Sequence, residues 1–371
     1  MNILDHISSA AEASRRVGPH QRIVLSSRVR LARNLRSLPF PGFTKKPDRS
    51  KAYDIVRPAV DQTTQMRGAF GDSMDNLGAL DKQILVERHL ISREHAAKGA
   101  GSGVVIAKDE TLCVMINEED HLRMQAILPG LQVKQAWDIL DGFDSALESQ
   151  VEYAYSRELG YLTACPTNLG TGMRVSAMLH LPALMLNEQI DQIIQAVNKL
   201  GMAVRGLYGE GTEAYGSIFQ VSNQMTLGEA EKDIVDRLNK VLAQIIEHEG
   251  NARLTLLEKK PKVLLNHIGR AYGTLANAHS ITSKEAMNLL SLMRLGVDIS
   301  LFKGVDLALV DELFILGQPA HLQKQFAEKL SAEERDFIRA DMLRERLKTV
   351  GRPDPSALGG GPGGQLDKPS A

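Results

Sequence analysis

A single break in patterning divides this chain of 371 residues. Before Lys259-Lys260-Pro261, short β-branched and apolar runs are interleaved with amphipathic stretches. After it, residues 262–349 carry almost no strand pattern. They form short helical stretches punctuated by Gly269, Gly273, Gly296, Gly304 and Gly317-Gln318-Pro319. Alternation with period two builds half-buried strands, and a period of 3.6 builds helices. The chain is therefore expected to be an α+β unit followed by a small all-helical one. The expected divisions are an irregular segment at 1–21, a mixed domain at 22–258, a helical domain at 262–349 and a disordered Gly/Pro-rich tail at 350–371.

Within the mixed region, Arg22 to Asn34 reads as an extended segment. Val29 and Leu31 point one way, and Arg28 and Arg30 the other. Val104-Val105-Ile106 and Thr111 to Asn117 are expected strands, as are residues 202–208 and 215–221, which a Gly-rich turn joins. Helices are expected over Val133–Ser149 and Asn187–Leu200, the second closed by Gly201 as a left-handed cap. A longer helix is expected from Thr226, where Thr226 and Glu229 have capping-box spacing, to about His248. Thr282/Glu285 and Ser331/Glu334 repeat that spacing in the helical region.

Charge narrows the function classes. Lys and Arg number 44 against 45 Asp and Glu, for a net charge of −1. That balance argues against a bulk nucleic-acid binder or a polybasic membrane protein. Cys113 and Cys165 are the only cysteines, so no disulfide framework is expected, which suits a reducing compartment. The first residues lack a signal-peptide pattern, and no apolar run approaches the roughly 20 residues that span a bilayer. A cytoplasmic protein is expected. There is no G-x-x-x-x-G-K-[ST] loop, no His-Arg-Asp or Asp-Phe-Gly set and no paired-Cys zinc pattern. The GAGSG at 99–103 precedes a strand rather than a helix, so it reads as a turn and not as a phosphate cradle.

The informative residues are arginines at strand edges and turns: Arg28, Arg30, Arg123, Arg174 and Arg205. Any one alone is well explained as a solvated surface residue. Together, several beside Gly-rich turns or carboxylate clusters, they suit phosphate oxygens, which a guanidinium grips with two parallel bonds. Four strings then occur in order: Ser26-Ser27-Arg28-Val29-Arg30, Asn117-Glu118-Glu119-Asp120-His121-Leu122-Arg123, Cys165-Pro166-Thr167-Asn168-Leu169-Gly170-Thr171 and Arg205-Gly206-Leu207-Tyr208-Gly209-Glu210. This series resembles the phosphagen (ATP:guanido) kinase family, and the Cys165–Thr171 string is its signature. Creatine and arginine kinases carry an N-terminal helical domain before the first string. Here that string comes almost at once and a helical domain follows instead, a layout that looks like the bacterial protein arginine kinase branch.

The resemblance implies a catalytic domain with an antiparallel sheet flanked by helices. It implies Glu119 as catalytic base, Glu210 as a second carboxylate on the substrate guanidinium, and Cys165 as a thiolate that places the substrate. ATP would be held by Ser26, Ser27, Arg28, Val29, Arg30, His89, Arg123, Arg174, Val175, Ser176, Ala177, Met178, Arg205, Gly206, Leu207, Tyr208, Gly209 and Glu210. Mg²⁺ would ride on the nucleotide, with no metal ligated by the protein. Glu118 and Asp120 are expected as surface or supporting charges, and Cys113 as a buried apolar residue. Arg335-Asp336-Phe337-Ile338-Arg339-Ala340 matches the branch's phosphoarginine motif, which implies an allosteric site with an anion held between Arg335 and Arg339. The branch further implies arginine-bearing protein substrates, a zinc-binding activator, an unfoldase–protease downstream in stress response, and a homodimer. The apolar stripe of Met287, Leu290 and Leu295 supports the last of these. No nucleic-acid or membrane partner is expected. Two competing functions remain open: a kinase of free guanidino compounds, for which the missing N-terminal domain leaves too open a site, and an inactive adaptor.

Overall fold

The computed structural model describes residues 9, 12, 15–206 and 214–358. Among the described residues ten strands are formed: β1 (Val24–Arg33), β2 (Phe70–Ser73), β3 (Gly103–Ile106), β4 (Leu112–Ile116), β5 (Leu122–Pro129), β6 (Tyr155–Ser156), β7 (Gly160–Tyr161), β8 (Met173–His180), β9 (Met202–Gly206) and β10 (Ile218–Asn223). β6 and β7 make a small hairpin. The other eight form one sheet in the order β2-β3-β4-β5-β1-β8-β10-β9, antiparallel at every pair. The helices are α1 (Lys46–Gln62), α2 (Ala79–Glu87), α3 (Arg93–Ala96), α4 (Val133–Glu148), α5 (Pro182–Leu186), α6 (Ile190–Lys199), α7 (Glu231–Lys259), α8 (Pro261–Asn277), α9 (Ser283–Asp298), α10 (Leu307–Leu316), α11 (Pro319–Gln323) and α12 (Ala332–Leu347).

β1 lies near the middle of the sheet, and its alternation sets the two faces. Val29 pairs with Ala126 and Val175, and Leu31 with Met124 and Met173. All of these are fully buried, because α4 crosses β1 and β5 while α7 crosses β8 and β10. Leu140, Phe143, Leu238 and Leu242 fill the layer from the helical side. Each such side chain is worth about 1.5–3 kcal/mol of burial, which fixes the register, since a slip of one residue would exchange the faces.

Several local expectations shift. β5 and β8 form where the pattern along the chain had assigned no strand. α7 begins at Glu231 after Ala230, not at Thr226, and runs on to Lys259. The Thr226 hydroxyl is used elsewhere, donating to the carbonyls of Thr167 (2.9 Å) and Leu169 (2.7 Å). Glu229 pairs with Arg237 instead of capping. Thr282 and Ser331 do cap α9 and α12, the latter with the full reciprocal box.

The helical region is seated on the sheet domain. The His180 ring bonds Ser291 Oγ (2.8 Å), Gly216 N donates to Asn288 Oδ1 (2.8 Å), and Arg294 donates to the carbonyls of Gln21 and Arg22 (3.0 Å each). Met287, Leu290 and Leu295 are consumed in this packing and are all buried. The stripe expected to drive self-association is therefore not available to a second copy. Residues 351–358 do not behave as an unpacked tail either. The Asp354 amide donates to Leu301 O (2.7 Å), its carboxylate pairs with Lys303 (2.7 Å), and Pro355–Leu358 form a 3-10 turn.

Candidate active site

The second face of the sheet carries the charge. Register places Arg28 opposite Ile127 and Ser176, Arg30 opposite Gln125 and Arg174, and Ala32 opposite Arg123. Ser176 faces Ser222, Met178 faces Gln220, and Gln220 faces Arg205. Arg28, Arg30, Arg123, Arg174 and Arg205 therefore project from one face, across β5-β1-β8-β10-β9. Alternation within strands assembles cations that are as much as 177 residues apart in sequence.

These cations are held but mostly not neutralised. Arg28 Nη2 donates to Gln220 Oε1 (2.9 Å), and Arg174 Nη2 to Ser222 Oγ (3.1 Å). The buried Nε atoms of Arg30 and Arg174 have no partner. Among the described residues no carboxylate pairs with Arg28, Arg30, Arg174 or Arg205. Burial, then the neighbouring Arg123 and Arg174, pushes the Arg28 guanidinium down to about 10. Burial and Arg28 lower Arg30 as well. Stacking like charges in a desolvated site costs stability unless an anion completes it. A triphosphate fits that need. Arg123 is the exception: its Nη1 lies 2.7 Å from both oxygens of Glu118.

The acidic string divides by role. Glu118 is buried on Arg123 and accepts from Ser92 Oγ (2.6 Å), and Arg123 holds its carboxyl below the usual range against the effect of burial. Asp120 is also buried, accepting from Asn34 Nδ2 (2.6 Å) and Ala164 N (2.6 Å). Neither is a surface charge: one aims a cation and the other anchors the approach to Cys165. Glu119 alone is exposed. Partial loss of water, then Asp120 and Glu118, raise its carboxyl above the usual value. It lines a cleft of about 140 Å³ with Arg30, Arg123, Arg174, Cys165 and Asn168.

The loop bearing Cys165 is fixed from three sides. Asp120 holds Ala164, Thr163 Oγ1 donates to Cys165 O (2.8 Å), and Thr226 holds Thr167 and Leu169. Gly170 has φ +105°, and a Cβ there would lie 2.3 Å from Thr226 O, so the string requires glycine at that point. Cys165 Sγ sits 3.0 Å from Thr167 Oγ1. Cys113 is buried in β4, its thiol donating to Leu90 O.

The ATP contacts expected from the strings separate by face. Ser26, Arg28, Ser176 and Met178 line a second cavity with His89, whose imidazole is pushed down to about 4 by burial and Arg28 and so stays neutral. Ser27, Val29, Val175 and Ala177 point into the core, and Ser27 Oγ donates to Gly130 O (2.8 Å). Their side chains support the strands and do not reach the cations. Gly206 ends β9, while Leu207, Tyr208, Gly209 and Glu210 lie outside the described residues. In α12, Arg339 is buried, donating to Gly317 O (2.7 Å) and Ile281 O (2.8 Å) and pairing with Asp336. Arg335 bonds Leu330 O (2.7 Å), Phe337 is exposed, Ile338 is half-buried and Ala340 is fully buried. Nε and Nη1 of Arg339 are thus spent on protein partners, and Arg335 is tied at Leu330.

Residues 53–252 match the ATP:guanido phosphotransferase C-terminal catalytic domain, and residues 261–358 match the protein-arginine kinase McsB C-terminal domain. The protein-arginine kinase of Moorella thermoacetica is 46% identical over 334 residues, covering 89% of this chain and 95% of that protein. That of Halothermothrix orenii is 44% identical over 330 residues, covering 89% and 94%. The chain belongs to the protein-arginine kinase family. The ATP:guanido phosphotransferase fold is seen too in a lombricine kinase crystal structure, with 25% identity, a TM-score of 0.56 and coverage of 66% of this chain and 71% of that one. The taurocyamine kinase of Schistosoma mansoni with bound transition-state analogue components shares the fold at 21% identity and a TM-score of 0.58, covering 81% and 50%. Against this protein-arginine kinase framework, the motifs did not disclose Gln220, Ser222, Ser92 and Thr226. Each positions a site element through a contact distant in sequence. Their one sequence signal is a polar residue on an otherwise apolar strand or at a turn.

Proposed function

We propose that this chain transfers the γ-phosphoryl group of ATP to the guanidinium of arginine side chains in proteins. The single observation that carries this is the run of unneutralised arginines on one sheet face, ending at an exposed glutamate beside a cysteine. Family membership supports the choice of a protein-borne arginine, as does the exposure of Glu119.

The cations suit phosphoryl transfer, which depends mostly on positioning and charge neutralisation. Arg28, Arg30, Arg174 and Arg205 hold phosphate oxygens, and Arg123, braced by Glu118, spans toward the acceptor cleft. Glu118 and Asp120 are spent on protein partners, so Mg²⁺ would rest on the phosphates, where it spreads the charge of the transferred group. Glu119 orients the incoming guanidinium and takes its proton. As the lone pair of one guanidinium nitrogen forms the N–P bond, the bond from γ-phosphorus to its bridging oxygen breaks and ADP leaves. The raised carboxyl of Glu119 brings its basicity closer to neutral pH, where a general base works best. Glu210 is assigned the second guanidinium contact on the motif alone.

The further reading, in which modified proteins pass to an unfoldase–protease under stress with a zinc-binding activator upstream, rests on the resemblance of the motifs. The test of the central proposal is incubation with ATP and a folded protein substrate, followed by mass spectrometry without acid, which cleaves N–P bonds. Phosphoarginine on the substrate is expected. Transfer only to free guanidino compounds would overturn the proposal.

A further inference from the structure

Two cavities run in series from the cation face toward the helical region. The inner one, of about 220 Å³, is lined by Ser26, Arg28, His89, Ser176 and Met178. The outer one, of about 270 Å³, shares Leu25, His89, Met178 and Ile315 with it and continues to Met287, Phe314 and Gln318. Met287 comes from α9, Phe314 and Ile315 from the end of α10, and Gln318 from the turn before α11. The character of the lining changes along the path. It runs from the carboxylate and cysteine of the acceptor cleft, through the arginines, past a neutral imidazole, to an apolar patch of Leu25, Met178, Met287, Phe314 and Ile315, bordered by Gln21, Gln318 and charges that pair with one another, Arg88 with Glu110 and Arg294 with Asp311. A nucleoside triphosphate has the same order: transferable phosphoryl, charged phosphates, sugar, flat uncharged base.

The path is open to solvent along part of its length, and its outer wall is tied to the sheet domain. The Glu87 carboxylate accepts from Ala320 N (2.7 Å) and His321 N (3.1 Å) and pairs with His321 Nδ1 (2.7 Å). Lys324 adds a tie to Asp81 (2.6 Å). Gln318 Nε2 donates to Phe314 O (3.1 Å), which fixes the amide beside the cavity. Glu87 lies two residues before His89, so one strut sets both the inner imidazole and the outer wall.

We propose that the helical region supplies the outer wall of the base pocket, with Ile315 and Phe314 packed on the purine, so that the bound nucleotide bridges both regions. Ile315 is a specificity-determining residue and Glu87 a positioning residue. This rests on the ATP reading above and deepens it. Phe314 and Ile315 lie in the segment 261–358 that matches the protein-arginine kinase C-terminal domain, whereas Glu87 lies in the segment 53–252 that matches the phosphotransferase domain.

The test is calorimetric titration of ADP and of pyrophosphate, matched in phosphate number, into the full chain and its Ile315→Ala, Ile315→Val and Glu87→Gln variants. ADP affinity should fall about fourfold for each methylene removed from the wall of the base pocket, more in Ile315→Ala than in Ile315→Val. Pyrophosphate affinity should hold in both, which also reports that the cation face is folded. Glu87→Gln should weaken ADP and spare pyrophosphate. Unchanged ADP affinity in both Ile315 variants, or equal losses for the two ligands, would overturn the proposal. Wild type binding ADP no better than pyrophosphate would overturn the base pocket while leaving the phosphate site standing. Failure of wild type to bind either would overturn the ATP reading itself.

Discussion

The adjacent glutamates Glu118 and Glu119 should separate stability from chemistry. Glu118 takes both contacts of Arg123 Nη1, the Ser92 hydroxyl and the Glu119 amide (2.9 Å), all in a buried setting. In Glu118→Ala, Arg123 loses its paired carboxylate and is left among Arg28, Arg30 and Arg174 with only the more distant charges of Glu119 and Asp120, and Ser92 loses its acceptor. Breaking a buried pair by removing one partner costs about 3–5 kcal/mol. Arg123 keeps a quarter of its side chain in water, so about 2–3 kcal/mol is the appropriate range here. Glu119→Gln removes no side-chain hydrogen bond and relieves repulsion from Asp120 and Glu118. Its stability should stay within about 0.5 kcal/mol of wild type, while transfer falls about 10²- to 10⁴-fold with loss of the base. Urea midpoints and single-turnover transfer with a non-acid quench read the two quantities. Near-normal turnover by Glu119→Gln, or an unshifted midpoint in Glu118→Ala, would refute this division of labour.

Other outcomes follow from the same contacts. The acid limb of kcat/KM should lie above the ordinary glutamate value, because Glu119 is raised, and it should vanish in Glu119→Gln. His89, His95 and His121 are each held at about 4 against an ordinary 6.5, mainly by burial. From pH 6.5 down toward 4 the unfolded chain therefore binds protons that the folded one does not, and stability should fall through that window in equilibrium unfolding. Thr226→Val should lower kcat more than it raises the KM for ATP, because it frees the Cys165 loop and leaves the arginines in place; steady-state kinetics would show it. Arg339→Ala should lower the melting temperature by stranding the carbonyls of Gly317 and Ile281, at about 1–3 kcal/mol each. Arg335→Ala removes one bond, to Leu330 O, from a half-buried side chain and should lower the melting temperature by less.

What the sequence disclosed depended on the range of the signal. The two faces of β1 were legible because alternation is local, and it placed Arg28 and Arg30 correctly together. β5 and β8 alternate as cleanly, with Leu122, Met124, Ala126 and Leu128 on one face and Arg123 and Gln125 on the other. They are rich in Met, Ala and Leu, which are weak strand formers, and tertiary pairing overrode that preference. Thr226 and Glu229 had true capping spacing, yet a nearby pair of loop carbonyls was the better partner for the hydroxyl. Glu119 and Cys165 were legible from motifs. Gln220 was not, because its meaning arises only when β10 is laid two strands from β1. The stripe of Met287, Leu290 and Leu295 was legible as apolar, but the sequence did not say which surface would cover it.

The cation face sits on the strand that also organises the core, so site and scaffold share one backbone. When empty, that strand carries uncompensated charge at the centre of the sheet, and anions that fill the site relieve it. By mass action, a ligand at a hundred times its Kd adds about 2.7 kcal/mol to the folded state. The nucleotide is then a structural tenant as well as a reactant. Nucleotide should therefore raise the unfolding midpoint of the chain with the logarithm of its concentration, whether or not a phosphoryl acceptor is present.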